Sequence, residues 1–354
     1  MTAVAPPAER RGLDDESFAL TLGAVVFAIT AVVAIFVFWG RELPIDGRSS
    51  LGDFTAIAAA VAAAAGFVVS RLLPRRAAAG RADAGSARYQ WFDIVALAAA
   101  HAAIALLGWI GVATILDSSF IGATVYATPA AMIAAAATAL SGYLAFLSGA
   151  SLSPRHLSLV LALFLVVGMI TAMLSSADPL WWQMNLSALG ITHDISSLTF
   201  NVTIIISGVI ITTIARFGTA SLPDSTIAER RRRMVVRVLF ILLGILLGCV
   251  GVFPVDRFFL LHNTVATGMG VVFAALVIGL PWLIPTMPRV FVILGFVYVV
   301  VIAVLAVLFF VGIYNLTAVE LIAALLIFSW IILFLRNVQT IETAGRPAPK
   351  GVRA

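Results

Sequence analysis

Charged residues are scarce in this chain, and cysteine is almost absent. Only 11% of the 354 residues are Asp, Glu, Lys or Arg, whereas soluble domains contain about 25%. Cys249 is the single cysteine, so a disulfide framework within the chain is excluded. With 62% hydrophobic residues and a mean hydropathy of +1.10, the composition indicates a protein whose solvent is the lipid bilayer.

Basic residues are also unevenly chosen and unevenly placed. Lys350 is the only lysine, and arginine supplies the rest, which together with abundant alanine favours a bacterial origin. The net charge of +5 does not indicate nucleic-acid binding, because the arginines lie in short loops between apolar runs. We therefore expect membrane lipid as a partner and no nucleic acid, while the sequence leaves the oligomeric state and any protein partner open.

Ten apolar runs are long enough to cross a bilayer as helices, since a span needs about 20 residues. Backbone groups in lipid must be satisfied within the segment, so the prediction is an all-α bundle of about ten transmembrane spans. The second run is the weakest, because it is mostly alanine, and an interfacial helix is its alternative. The predicted spans are residues 18–40, 54–73, 91–116, 126–149, 157–174, 198–216, 234–253, 261–283, 290–314 and 317–335.

The distribution of charge predicts the orientation of these spans. If the N-terminus lies inside, only Arg41, Arg48 and Arg257 among the 22 basic residues fall in outer loops. Such an excess of inner positive charge is typical of cytoplasmic loops. We therefore predict a multi-pass protein of the cell membrane with both termini in the cytoplasm.

Composition divides the predicted bundle into parts. Residues 1–17 and 336–354 read as cytoplasmic tails, residues 18–149 as an Ala-rich four-span unit, and residues 157–335 as a six-span unit richer in Ile, Val, Leu and Phe. The segment between spans five and six, residues 175–197, is the central loop; it carries adjacent tryptophans and no Lys or Arg.

Two blocks in the six-span unit resemble a known family. The block NLSALGITHDISSLTFN (residues 185–201), followed by Gly208, is similar to a pattern of the bacterial domain-of-unknown-function 998 family of integral membrane proteins. The block GVFPVDRFFLLHNTVA (residues 251–266) resembles the second block of that family, a Gly-Phe-Pro turn followed by a histidine that heads a helix. Ala188 stands where the family usually has an acidic residue. The resemblance covers about residues 157–335 and implies a six-helix unit distantly similar to proteins of the damage-regulated autophagy modulator type, with no agreed activity.

Polar residues that could bind a ligand gather on the predicted outer side of the six-span unit. We expect the central loop to fold back over the outer ends of spans six to eight, with His193 or Asp194 close to Asp256 or His262. A second expectation is that a face with Asn201, Gly208 and Thr212 meets a face with Asn263, Thr267 and Gly270. The predicted ligand-binding residues are His193, Asp194, Asn201, Asp256, Arg257, His262 and Glu320.

Several of these residues have structural explanations that the sequence leaves open. Asp194 fits a helix N-cap, and Thr317 with Glu320 matches a capping box. Asp256 and Arg257 fit a local ion pair. His101, the one candidate within a span, is either functional or a neutral histidine with internal hydrogen bonds.

Three functions remain open at this point. The favoured interpretation is a non-enzymatic membrane protein whose outer polar site binds a lipid or small amphiphile. The alternatives are a proton-linked secondary transporter that uses His101, and a membrane-embedded lipid hydrolase. No HExxH-like spacing and no nucleophile elbow occurs, so the sequence predicts no catalytic residue, no metal and no cofactor.

Overall fold

The computed structural model describes residues 7–73, 87–191, 195–220 and 222–344. Within those ranges, ten helices are long and apolar enough to cross a membrane, and each coincides with one predicted span. The all-α multi-pass architecture predicted from the sequence is therefore confirmed. The helices are α1 (Pro7–Phe38), α2 (Leu51–Leu72), α3 (Ala87–Ser119), α4 (Ala127–Ala150), α5 (Pro154–Leu174), α6 (Ile195–Ala220), α7 (Ile227–Val252), α8 (Phe259–Leu283), α9 (Arg289–Phe310) and α10 (Leu316–Ala344).

A small antiparallel sheet was not expected from the sequence. Strand β1 (Glu42–Pro44) follows α1, and strand β2 (Thr124–Tyr126) precedes α4. Leu43 pairs with Val125 in the register, and its side chain is buried. The sheet therefore ties together the α1–α2 and α3–α4 connections.

The described chain forms two compact units. The first comprises Met1–Leu152 and Val166–Ser175, and the second comprises Ser153–Leu165 and Ser176–Ala354. Helix α5 is divided between them, and its second half belongs to the first unit. The reason is visible at Thr171, whose hydroxyl donates to the carbonyl of Leu107 in α3 at 3.1 Å.

Close helix contacts in the first unit depend on small side chains. Helix α2 packs against both α3 and α4, which shows that its mostly alanine surface lies within the helix bundle of the first unit. A Cβ atom on Gly66 would collide with the backbone of Gly142, which shows how closely α2 and α4 approach. Such approach at glycine and alanine is the common way for membrane helices to associate.

In the second unit, α6 to α10 form a ring. Each helix packs on the next, and α10 returns to α6. Aromatic side chains fill the ring: Trp330 is fully buried, and its ring centroid lies 5.0 Å from that of Phe291 and 5.5 Å from that of Phe273. The starts of α6, α8 and α10 form hydrogen bonds to the central loop, and the start of α8 also bonds to Phe253, which directly follows α7. We call this end of the second unit its loop end.

Candidate functional site

His262 joins the central loop to the α7–α8 turn at the loop end. It lies in the first turn of α8 and is only 3% exposed. Its Nδ1 lies 2.7 Å from the carbonyl oxygen of Phe253, and its Nε2 lies 3.0 Å from the hydroxyl of Ser187. Because a carbonyl can only accept, Nδ1 carries the proton, and in the neutral imidazole Nε2 accepts from Ser187. The side chain thus fastens the central loop to the α7–α8 turn.

Glu320 holds the same part of the loop from α10. A short 3-10 helix, Leu186–Gly190, which we call the loop helix, begins beside its carboxylate. The backbone N–H of Leu186 donates to Oε2 of Glu320 at 2.6 Å, and that of Ser187 also donates to the carboxylate. Backbone N–H groups at the start of a helix have no partner inside it, so the carboxylate satisfies them.

The predicted capping box at Thr317 and Glu320 is therefore wrong. Helix α10 begins at Leu316, which places Thr317 inside the helix. Asn315 caps it instead, since its Oδ1 accepts from the backbone N–H of Ala318 at 3.0 Å. The carboxylate of Glu320 is thereby left to bind the loop helix.

Two asparagine side chains complete the attachment of the loop. The Nδ2 of Asn201, in α6, donates to the carbonyl of Gly190 at 3.0 Å, and the Nδ2 of Asn315 donates to the carbonyl of Trp182 at the same distance. A Cβ atom on Gly190 would lie 2.7 Å from Oδ1 of Asn201, so a larger residue would separate the loop helix from α6. The four side chains that hold the loop, which we call the loop clamp, are Asn201, His262, Asn315 and Glu320.

The structure brings together three of the predicted ligand-binding residues, namely Asn201, His262 and Glu320, through the loop that they all bind. Asp256 and Arg257 form the expected local ion pair, with Nε to Oδ2 at 3.8 Å, and remain more exposed. His193 and Asp194 lie outside the described residues, so their predicted approach to Asp256 or His262 stays a prediction.

The predicted meeting of two polar helix faces is wrong. Gly208 and Thr212 in α6 pack on α7, where a Cβ atom on Gly244 would lie 2.5 Å from the hydroxyl of Thr212. Asn263 and Thr267 in α8 are instead exposed on the outside of the ring. The helical spacing predicted each face correctly, but it carries no information about which neighbour a face meets.

Two clamp contacts were missed from the sequence. Ser187 lies within the block NLSALG, and its place in that block was the one available signal for it. Asn315 directly precedes an apolar helix, which is a common N-cap pattern. Neither pattern could reveal the long-range partners of these residues, His262 and the Trp182 carbonyl.

His101 repeats the chemistry of His262 inside the first unit. Its Nδ1 lies 2.7 Å from the carbonyl of Leu97, and its Nε2 lies 2.9 Å from the hydroxyl of Ser148. Its ring stacks on Phe67 with centroids 4.6 Å apart. Both nitrogens therefore have partners, and the side chain links α3 to α4.

The Ser187–His262 hydrogen bond has the pattern of a nucleophile and its base. Hydrolysis also requires N–H donors for the developing oxyanion. The backbone N–H groups of Leu186 and Ser187 bind the carboxylate of Glu320 instead. The described part of the chain also contains no cluster of three His, Cys, Asp or Glu that could hold a metal ion. The arrangement is best explained as a clamp.

Exposed apolar side chains occur at the loop end, in the same segments as this clamp. Leu260 is 80% exposed and Phe259 is 64% exposed, although both flank the buried His262 closely in sequence. We call the following group the apolar rim: Leu180, Trp182, Met184, Phe258, Phe259 and Leu260. Tryptophan and other aromatic side chains at a helix end are typical of the membrane interface.

The fold defines a multi-pass helical membrane protein. Comparisons with protein-family models, with curated proteins and with solved structures found no match to this chain.

Proposed function

We propose that the protein is a non-enzymatic membrane protein whose second unit binds a lipid or small amphiphile at its loop end. The observation that supports this most is that the polar clamp, in which His262 is buried and Asn201 and Glu320 are half-buried, lies at the same end of the unit as exposed apolar side chains. A membrane amphiphile has the same division, with a polar head beside an apolar chain. The partner in this proposal is therefore membrane lipid, and the loop end falls within residues 157–335, for which the sequence suggests a likeness to the domain-of-unknown-function 998 family.

The apolar rim explains how an amphiphile would be held. In water, each exposed side chain of the rim would cost about 25 cal/mol for every Å² of apolar surface. At the boundary between head groups and acyl chains this cost disappears, and the rim contacts lipid directly. Arg257, whose side chain is 62% exposed, and Asp256 supply charges of both signs beside the rim, which suits a zwitterionic head group.

The orientation of the chain is part of the proposal. The loop end faces the outside of the cell membrane, and both termini are cytoplasmic. This orientation is supported by the excess of positive charge inside, since it leaves only Arg41, Arg48 and Arg257 of the 22 basic residues in outer loops.

Cysteine accessibility tests the orientation. Ser119, at the end of α3, and Ser225, between α6 and α7, are both exposed. In a background with Cys249→Ser, we expect Ser119→Cys to react with an impermeant thiol reagent in intact cells, and Ser225→Cys to react only after permeabilisation. The opposite pattern would invert the orientation. Ser86, a further inner-loop position predicted from the sequence, lies outside the described residues.

Lipid retention tests the site itself. His262→Gln should stay folded, since the Gln amide can still donate to Phe253 and accept from Ser187. Its different length shifts the loop, so we expect native mass spectrometry to show loss of a lipid that wild-type protein retains on purification. His101→Gln is the matched control, because His101 has the same two kinds of partner in the first unit. Equal retention in both variants would show that the clamp is purely structural.

A further inference from the structure

A pocket lies in the second unit, at the end opposite to the loop end. It has a volume of about 240 Å³ and lies where the start of α7 meets the end of α8. Both charged and apolar side chains line it. The lining residues are Leu222, Pro223, Glu229, Arg232, Arg233, Leu283, Ile284, Pro285 and Thr286.

Two arginines and one glutamate supply the charges in the lining of this pocket. Residues 230–233 are four consecutive arginines in the first two turns of α7. Arg233 binds Asp224 at 2.8 Å, and Glu229 accepts from the backbone N–H of Thr226 at 3.0 Å as part of a capping box. Asp224 and Glu229 thus already have partners of their own. Arg232 is exposed and lines the pocket with its positive charge.

We infer that this pocket binds the phosphate group of an anionic phospholipid. Arg232 supplies a planar guanidinium that can donate two parallel hydrogen bonds to a phosphate. The hydroxyl of Thr286 is exposed at the same pocket and adds a neutral donor. Arginine clusters beside a membrane span are typical of sites for anionic lipid.

The apolar lining favours a lipid over a free anion. Leu283, which is partly exposed, lines the pocket together with the buried Leu222 and Ile284, so the lining offers an acyl chain an apolar surface to follow. Inorganic phosphate would bind only to the charged and polar side chains of the lining. Because α7 has its own cap, recognition rests on the side chains and not on the helix N-terminus. The inference is independent of the loop-end site.

A pair of neighbouring arginines tests this pocket. Arg232 lines it, whereas Arg231 belongs to the same run and is exposed without lining it. The full-length protein in a neutral detergent is titrated with phosphatidylglycerol, phosphatidylcholine or inorganic phosphate while its melting temperature is followed. We expect phosphatidylglycerol to raise the melting temperature of the wild type. Arg232→Gln should weaken the apparent affinity for phosphatidylglycerol at least about tenfold, whereas Arg231→Gln should weaken it less than about threefold.

The outcomes separate the possible ligands. If inorganic phosphate stabilises as well as phosphatidylglycerol, the pocket is a small-anion site and the lipid assignment is overturned. If both variants weaken the effect equally, or if phosphatidylcholine acts like phosphatidylglycerol, no specific pocket exists. Should Arg232→Gln fail to elute as a single species in gel filtration, Thr286→Val replaces it and is expected to weaken phosphatidylglycerol measurably with the fold intact. An unchanged response in Thr286→Val then contradicts the inference.

Discussion

Gly244→Ala is expected to destabilise the second unit by about 3 kcal/mol or to prevent its folding. Overpacking typically costs about 1–3 kcal/mol, and here two of the atoms that the new methyl group would meet are backbone atoms, which cannot rotate away. The added Cβ would lie 2.5 Å from the carbonyl oxygen of Gly208 and 3.0 Å from the backbone nitrogen of Thr212. Relief requires α6 and α7 to separate, which would also move Asn201 away from the loop helix. Reversible unfolding in mixed detergent micelles measures the change.

Gly248→Ala is the matched control for this substitution. Gly248 lies one turn further along the same helix, and its Cβ would have its nearest neighbour at 3.9 Å, the carbonyl oxygen of Ile205. This variant should unfold within about 0.5 kcal/mol of the wild type, as substitutions without such conflicts usually do. Equal destabilisation of the two variants would contradict the close packing of α6 on α7.

Glu320→Ala is expected to release the central loop and to cost about 3 kcal/mol, because two backbone N–H groups lose a charged acceptor. Leu186 and Ser187 are both buried, so water cannot easily replace the carboxylate. Glu320→Gln keeps one neutral acceptor oxygen and should lose roughly half as much stability. Hydrogen exchange of residues 186–190 should accelerate in the alanine variant and follow the loss of stability.

Asp256→Ala provides the comparison at the same end of the unit. Asp256 is acidic too, but its ion pair with Arg257 is long and solvent-exposed. Removing it should change stability by less than about 1 kcal/mol. If Glu320→Ala behaved like Asp256→Ala, the carboxylate of Glu320 would not be holding the loop helix.

The ten spans could be predicted because hydropathy and length together leave few alternatives in a bilayer. The same reasoning could not predict β1 and β2, since three-residue strands carry too little pattern to be distinguished from connecting loop. It also could not divide α5 between two units, because the hydroxyl of Thr171 has its partner 64 residues earlier in the chain.

Part of the site could be predicted as well. Topology placed Asn201, His262 and Glu320 at one end of the unit, and the structure shows each of them bound to the central loop. Their partners could not be predicted, because they are backbone groups and Ser187, which have no distinctive sequence. Glu320 illustrates the limit: Thr-x-x-Glu is the same pattern whether the carboxylate caps its own helix or another, and the start of α10 at Leu316 decides between them.

A photoreactive amphiphile incorporated into intact membranes would test the loop-end site most directly. After illumination, peptide mass spectrometry identifies the residues that carry the label. The account predicts that residues 180–184 and 258–261 are labelled much more strongly than Val300 and Val304. These two valines lie on an exposed face of α9 and serve as the reference for contact with bulk lipid. Labelling of the α9 face as strong as that of the apolar rim would contradict a binding site at the loop end.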